Sequence, residues 1–206
     1  MAIEPYTEPY TIIPGRRISA AEYATITDKP GWRSELDMGR IILMPTVKDP
    51  LHDWIIDNLV RRLSPYVAER KLGGLTYEQV GYNITQPDDP EESVWMPDLA
   101  FVSKNNAQRV LEARKKGDYP RLAPDLVVEV VSPSQSKADM TERAHRWLAA
   151  GTRLIWAIWP ATKTVDVWQP DDPTRTLKAR EQLDGLEVVP GFALAVADLF
   201  TLPFGK

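Results

Sequence analysis

The sequence predicts a mixed α/β fold: an α+β arrangement with a mixed sheet flanked by helices. Three observations carry this. Two strongly apolar runs, "MPDLAFVSK" from Met96 and "APDLVVEVVSPS" from Ala123, have the length and β-branched content of buried strands. Two longer segments have the periodicity or punctuation of helices, one repeating apolar residues at Leu51, Ile55, Leu59 and Leu63, the other ending at Gly151. Between and after them lie short alternating runs punctuated by turn residues, the pattern of antiparallel strands.

In chain order, the first 18 residues contain Pro5, Pro9 and Pro14 and read as an extended arm. Residues 19–206 are expected to form one domain. Ser19 is the expected cap of a short helix over "AAEYATI". "WRSELDMGRIILMP" alternates like a hairpin turning around Asp37-Met38-Gly39. "DPLHDWIIDNLVRRLSPYVAER" is the first long helix, "GLTYEQVGYNI" a strand and "DDPEESV" a polar turn leading into the strand that opens with Asp98. A basic segment follows, then the strand containing Glu129. "SPSQSKADMTERAHRWLAAG" is the second long helix. "RLIWAIWP" and "KTVDVWQ" read as a hairpin through Pro160-Ala161-Thr162. "LEVVPGFALAVADLF" closes the chain as a strand, a Pro-Gly turn and an apolar segment.

A chain of 206 residues, 43% hydrophobic and 26% charged, has the composition of an ordinary globular protein with one substantial core. No apolar stretch approaches the ~18 residues that suggest a membrane span, and the start lacks the basic and apolar regions of a signal peptide. A cytoplasmic location is the default expectation. With no cysteine and two histidines, any metal would be held mainly by oxygen. The net charge of −4 works against phosphate binding, but Lys104 to Arg121 holds six basic residues against two acidic ones. That stretch is either a solvated helix and loop or a footprint for a phosphate backbone.

Glu129 is the oddest residue in the chain. In a strand, Leu126, Val128 and Val130 share one face while Val127, Glu129 and Val131 share the other. A carboxylate buried there costs several kcal/mol unless a cation or donors lie close. One reading lets Glu129 emerge into solvent just before Ser132-Pro133. The other brings it beside Asp98 on a neighbouring strand, with Glu35 of the first hairpin as a third acid. Three such carboxylates suit a hard divalent cation, Mg²⁺ or Mn²⁺, which activates water and stabilises charge on a phosphoryl oxygen. No P-loop and no Ser-His-Asp pattern offers another chemistry.

Together "SELDMGRIILMP", "LHDWIIDNL", "MPDLAFVS", "PDLVVEVVSPSQSKADMTERAHRWLAAGTRLIWAIWP" and "VPGFALAVADLF" resemble the Uma2 family. These are restriction-endonuclease-like proteins of the PD-(D/E)XK nuclease superfamily, and the likeness runs from about Ser19 to Phe200. The resemblance implies a restriction-endonuclease-like αβββαβ core with additional strands. It matches Asp98 to the aspartate of the "PD" element, Glu129 to the acid of the "ExxS" element, Glu35 to a hairpin glutamate and His52 to a helix-start histidine. By this matching Asp98, Glu129 and Glu35 are the expected metal ligands. The superfamily's lysine, two residues after the second acid, is replaced by Val131. The family's alternative "SPS…D…K" pattern is met by Asp139, with Arg143 where lysine is usual. Arginine is no general base near neutral pH, but it can hold phosphate or developing negative charge. Lys137 is the rival source of an amine, and an Asp139–Arg143 surface pair is the plain alternative. Ser132 could donate to Glu129 or to substrate, or simply end its strand.

The expected function is therefore Mg²⁺- or Mn²⁺-dependent hydrolysis of nucleic-acid phosphodiesters, with DNA as the leading substrate. Alternatives are a non-catalytic binding or scaffold protein that has lost its lysine, and a metal-dependent hydrolase of another substrate. A homodimer is expected if Trp156, Trp159, Trp168, Phe192 and Phe200 leave apolar surface uncovered.

Overall fold

A computed structural model describes residues 16–28, 30–45, 50–77 and 80–202. All but the last three residues of the expected N-terminal arm lie outside them. The elements run α1 (Ala20–Tyr23), β1 (Trp32–Asp37), β2 (Arg40–Pro45), α2 (Pro50–Glu69), β3 (Gly73–Tyr77), β4 (Tyr82–Asn83), β5 (Val94–Trp95), β6 (Leu99–Ser103) and α3 (Lys104–Lys115). They continue with β7 (Leu126–Val130), α4 (Lys137–Ala149), β8 (Leu154–Trp159), β9 (Thr164–Trp168), β10 (Arg175–Leu177), β11 (Gln182–Asp184), β12 (Ala193–Ala195) and α5 (Val196–Leu199). This is the mixed α+β fold, with a mixed central sheet and flanking helices. No helix among the described residues is long and apolar enough to cross a membrane.

A six-stranded sheet, ordered β10-β9-β8-β7-β6-β3, forms the centre, and only its β7–β8 pair is parallel. Each face has its own core. Leu99, Phe101, Leu126, Val128, Val130 and Trp156 pack with Ile55, Leu59, Leu63 and Val67 of α2 and with the C-terminal β11–β12 pair and α5. The predicted stripe of α2 is thus the buried one. On the other face Ala100, Val102, Val127, Ile155 and Ala157 pack with Met140, Ala144 and Trp147 of α4 and with Val110 of α3. The alternation read from the β7 sequence assigns these two faces, so Glu129 projects on the α4 side.

A second sheet, β2-β1-β5-β4, stands beside the first. Its hairpin turns at Met38 and Gly39, both left-handed at φ 48° and 72°, as a two-residue type I′ connection requires. A Cβ on Gly39 would stand 2.9 Å from the Cβ of Arg17, a second reason for glycine there. Two helices open on capping boxes, Ser19 with Glu22 as expected and Ser136 with Asp139.

Two expectations change. "GLTYEQVGYNI" is divided between sheets, β3 lying on the edge of the large one and β4 in the small one. Gly81 allows the crossing, because a Cβ there would meet the Tyr119 ring at 2.7 Å. "LEVV" is a turn, with Leu186 left-handed at φ 47° and its amide bonded to Asp184. Of the aromatic residues named for a dimer face, three are buried within the chain, and Trp159 and Phe200 are half-buried against its cores. Trp156 and Phe192 are buried and stack at 6.1 Å, Trp168 is buried, and Phe200 packs on the core.

Candidate active site

The pairing Leu99↔Val128 between β6 and β7, continued by one residue, sets Asp98, just before β6, opposite Glu129. Both are buried, at 3% and 7% exposure. Asp98 accepts from the Val130 amide at 2.8 Å, so its carboxylate is held by the strand that carries Glu129. His52, in the first turn of α2, reaches it with Nε2 at 3.2 Å from Oδ2, and Arg33 of β1 lies 3.6 Å from Oδ1.

Glu129 receives two donors on one oxygen. Arg143 Nε stands 2.8 Å and Trp147 Nε1 3.1 Å from its Oε1. Among the described residues its Oε2 takes no hydrogen bond. The Arg143 guanidinium then spans to Glu35 with two further bonds, at 2.9 and 2.8 Å. Glu35 is turned toward it partly by the Met96 amide, which donates to Oε1 at 2.8 Å. One arginine therefore bridges a carboxylate from each sheet, and it also lies 4.6 Å from the centre of the Trp95 ring.

The strand period explains this arrangement. Arg33, Glu35 and Asp37 alternate along β1 and so share one face. Each meets an opposite charge: Arg33 with Asp98, Glu35 with Arg143, and Asp37 with Arg146. Arg143 and Arg146 are three apart on α4, neighbours on one helical face. The ladder joins the small sheet to α4 along the edge where the carboxylates lie.

Charge balance is uneven within the cluster. Burial alone would raise the pKa of Asp98, but His52, the Val130 amide and Arg33 outweigh it and hold the carboxyl down at about 2. Glu129 goes the other way. Burial raises it most, Arg143 opposes that, and nearby Asp98 and Glu35 add to it, leaving the group at about 7. Arg143 is raised well above its ordinary range by the two glutamates despite its burial, so it stays charged.

The structure thus brings Asp98, Glu129, Glu35, His52 and Arg143 together. Lys137 stands elsewhere: it is exposed, with Nζ 3.8 Å from Asp166. Asp166 pairs with Ala157, which pairs in turn with Glu129, so it lies two strands away, roughly 10 Å. Asp139 does not pair with Arg143, because its carboxylate accepts from the Ser136 amide and hydroxyl at the head of α4. The Ser132 hydroxyl bonds to that of Ser134. The sequence reading did not single out Arg33, Trp95 or Arg146. Alternation from Glu35 along β1 was the available signal for Arg33, whereas nothing local marks a contact between α4 and another sheet.

Among the described residues no three His, Cys, Asp or Glu side chains are arranged to hold a metal together. Glu35 has both oxygens engaged by Arg143, so it does not fit as a ligand in this arrangement. Asp98 and Glu129 do fit a hard divalent cation, for three reasons. They are oxygen donors from adjacent strands, Glu129 has an oxygen without a donor, and their mutual repulsion is what a cation would relieve.

A family model, Uma2, described as a putative restriction endonuclease, matches residues 20–197. Among solved structures, a putative nuclease belonging to DUF820 from Anabaena variabilis ATCC 29413 superposes with a TM-score of 0.71. The match covers 89% of this chain and 97% of that one at 22% sequence identity, a likeness of fold. No curated protein sequence matches the chain.

Proposed function

The chain belongs to the Uma2 family, and on that premise we propose that it is a nuclease hydrolysing nucleic-acid phosphodiester bonds with Mg²⁺ or Mn²⁺. The observation that carries this reading is the buried pair Asp98 and Glu129, opposed across adjacent strands and backed by the Arg143 bridge. Asp98 and Glu129 would hold the cation. When bound, it supplies a lowered pKa for water and a partner for phosphoryl charge.

The protein's own groups divide the remaining work. The Val130 amide and His52 fix the Asp98 carboxylate in its ionised form, ready to serve as a ligand. Glu35 orients Arg143 through two bonds, and its charge keeps the guanidinium protonated. Arg143 accepts no proton, so its part is to stabilise negative charge as it builds on the phosphate. Lys137, paired near Asp166, has no part in the reaction on this account.

The scaffold reading has one observation in its favour. Arg143 already neutralises two carboxylates where an active amine would stand. Cleavage separates the two. Wild type incubated with duplex and single-stranded DNA and RNA should cut at least one of them with Mg²⁺ or Mn²⁺ and not with EDTA. Asp98→Asn, nearly isosteric, should lose at least ~10²-fold in rate while keeping its fold by circular dichroism. No cleavage of any substrate by folded wild type would favour the scaffold.

A further inference from the structure

Between Lys104 and Arg121 fall six of the chain's 25 basic residues and only two of its 29 acidic ones. The stretch forms α3 and the loop after it, the connection between β6 and β7. All six cations, Lys104, Arg109, Arg114, Lys115, Lys116 and Arg121, are exposed, and α3 buries only Val110. Only Arg121 forms an ion pair with a described residue, Glu92. Arg109 bonds to Asn106 and to the Arg121 carbonyl, leaving its charge unmatched. Several arginines elsewhere do find acids: Arg61 with Asp57, Arg62 with Asp198, Arg143 with two glutamates and Arg146 with Asp37.

Position adds to composition. The five residues of β6 separate Asp98 from the start of α3, a span of about 17 Å. At its other end the stretch meets the small sheet, where Tyr119 stacks on Tyr23 at 5.5 Å and the Asn83 amide bonds to the Pro120 carbonyl at 3.0 Å. Five unmatched cations thus cluster on α3 and the residue after it, between the far end of the carboxylate strands and the paired Arg121 near the sheet carrying Glu35. On an otherwise acidic chain, this concentration of positive charge suits a polyanion.

We propose that α3 and the loop to Arg121 bind the phosphate backbone of double-stranded DNA away from the bond being cut. This rests on the nuclease reading and gives its substrate a second anchoring point. The duplex is favoured over a single strand because single-strand surfaces add aromatic platforms for bases. The one aromatic residue of this stretch, Tyr119, is already stacked on Tyr23.

Fluorescence anisotropy with a short labelled DNA duplex in EDTA tests this without cleavage. The triple variant Arg114→Gln, Lys115→Gln, Lys116→Gln should bind roughly tenfold or more weakly than wild type. The slope of log affinity against log salt should shrink by about 0.9 for each phosphate that is no longer neutralised. The corresponding triple change to Glu should weaken binding further. Circular dichroism on the Gln triple guards against unfolding of α3. Unchanged affinity and slope in both triple variants overturn the proposal, as does tighter binding of duplex RNA than of DNA, or no binding by wild type. Cleavage by a wild type whose triple variants bind normally sinks this surface alone. Salt-sensitive binding that the triples lose, without any cleavage by wild type, supports this surface and sinks the catalytic reading.

Discussion

Arg143→Ala should destabilise the metal-free protein by about 3–5 kcal/mol, the range for breaking a buried ion pair from one side. The change leaves Glu35 and Glu129, at 4% and 7% exposure, as uncompensated buried carboxylates from two different sheets. It also removes the guanidinium from the Trp95 ring. The same variant should lose divalent-dependent cleavage, because nothing else described at the site carries positive charge toward both glutamates. Arg143→Lys is the informative companion. An ammonium keeps the charge but cannot span two carboxylates with a rigid fork, so its stability should fall between wild type and alanine. Urea denaturation in EDTA measures all three. An Arg143→Ala protein as stable as wild type would mean that the bridge contributes nothing to holding the sheets together.

Glu129→Gln should act in the opposite direction, stabilising the metal-free protein above neutral pH. Glu129 sits at about 7 in the folded chain, well above the ordinary carboxylate range. Between that range and pH ~7 the folded state binds more protons than the unfolded one, so wild-type stability falls as pH rises through this window. Above it the full cost of the buried charge is present. Glutamine carries no such charge, and its stability should stay flat across the same window. Asp98 does not confuse the result. Its carboxyl is held at about 2, so its contribution is complete above the ordinary carboxylate range and disappears only in stronger acid. Denaturation midpoints of both proteins across pH 5 to 8, in EDTA, give the comparison. A wild type equally stable over that interval, or a variant that is less stable above it, would identify Glu129 as a net favourable ion-pair partner of Arg143.

How much of this was legible depended on the range of the signal. Strand alternation placed Glu129 on the opposite face from Val128 and Val130, and the apolar stripe of α2 reported its buried side, because both follow from local periodicity. Capping at Ser19 was readable for the same reason. The division of Gly73–Asn83 between two sheets was not, since it depends on a close approach to Tyr119, about forty residues later in the chain. The site follows the same rule. Its members could be named, but the sequence allowed Arg143 to pair with Asp139 four residues away. Only the docking of the small sheet on α4 shows that Asp139 caps the helix while Arg143 reaches Glu35, 108 residues distant. Likewise Trp156 and Phe192 looked like candidates for an interface, because their cover comes from C-terminal segments whose short strands carry little pattern.

Calorimetric titration of Mn²⁺ into wild type and Asp98→Ala near neutral pH tests the central claim, that Asp98 and Glu129 form one cation site. Wild type should show saturable binding of about one ion per chain, and the ion should raise the denaturation midpoint in proportion to occupancy. Asp98→Ala, folded by circular dichroism, should show neither. Equal binding by the two proteins, or none by folded wild type, would contradict the account.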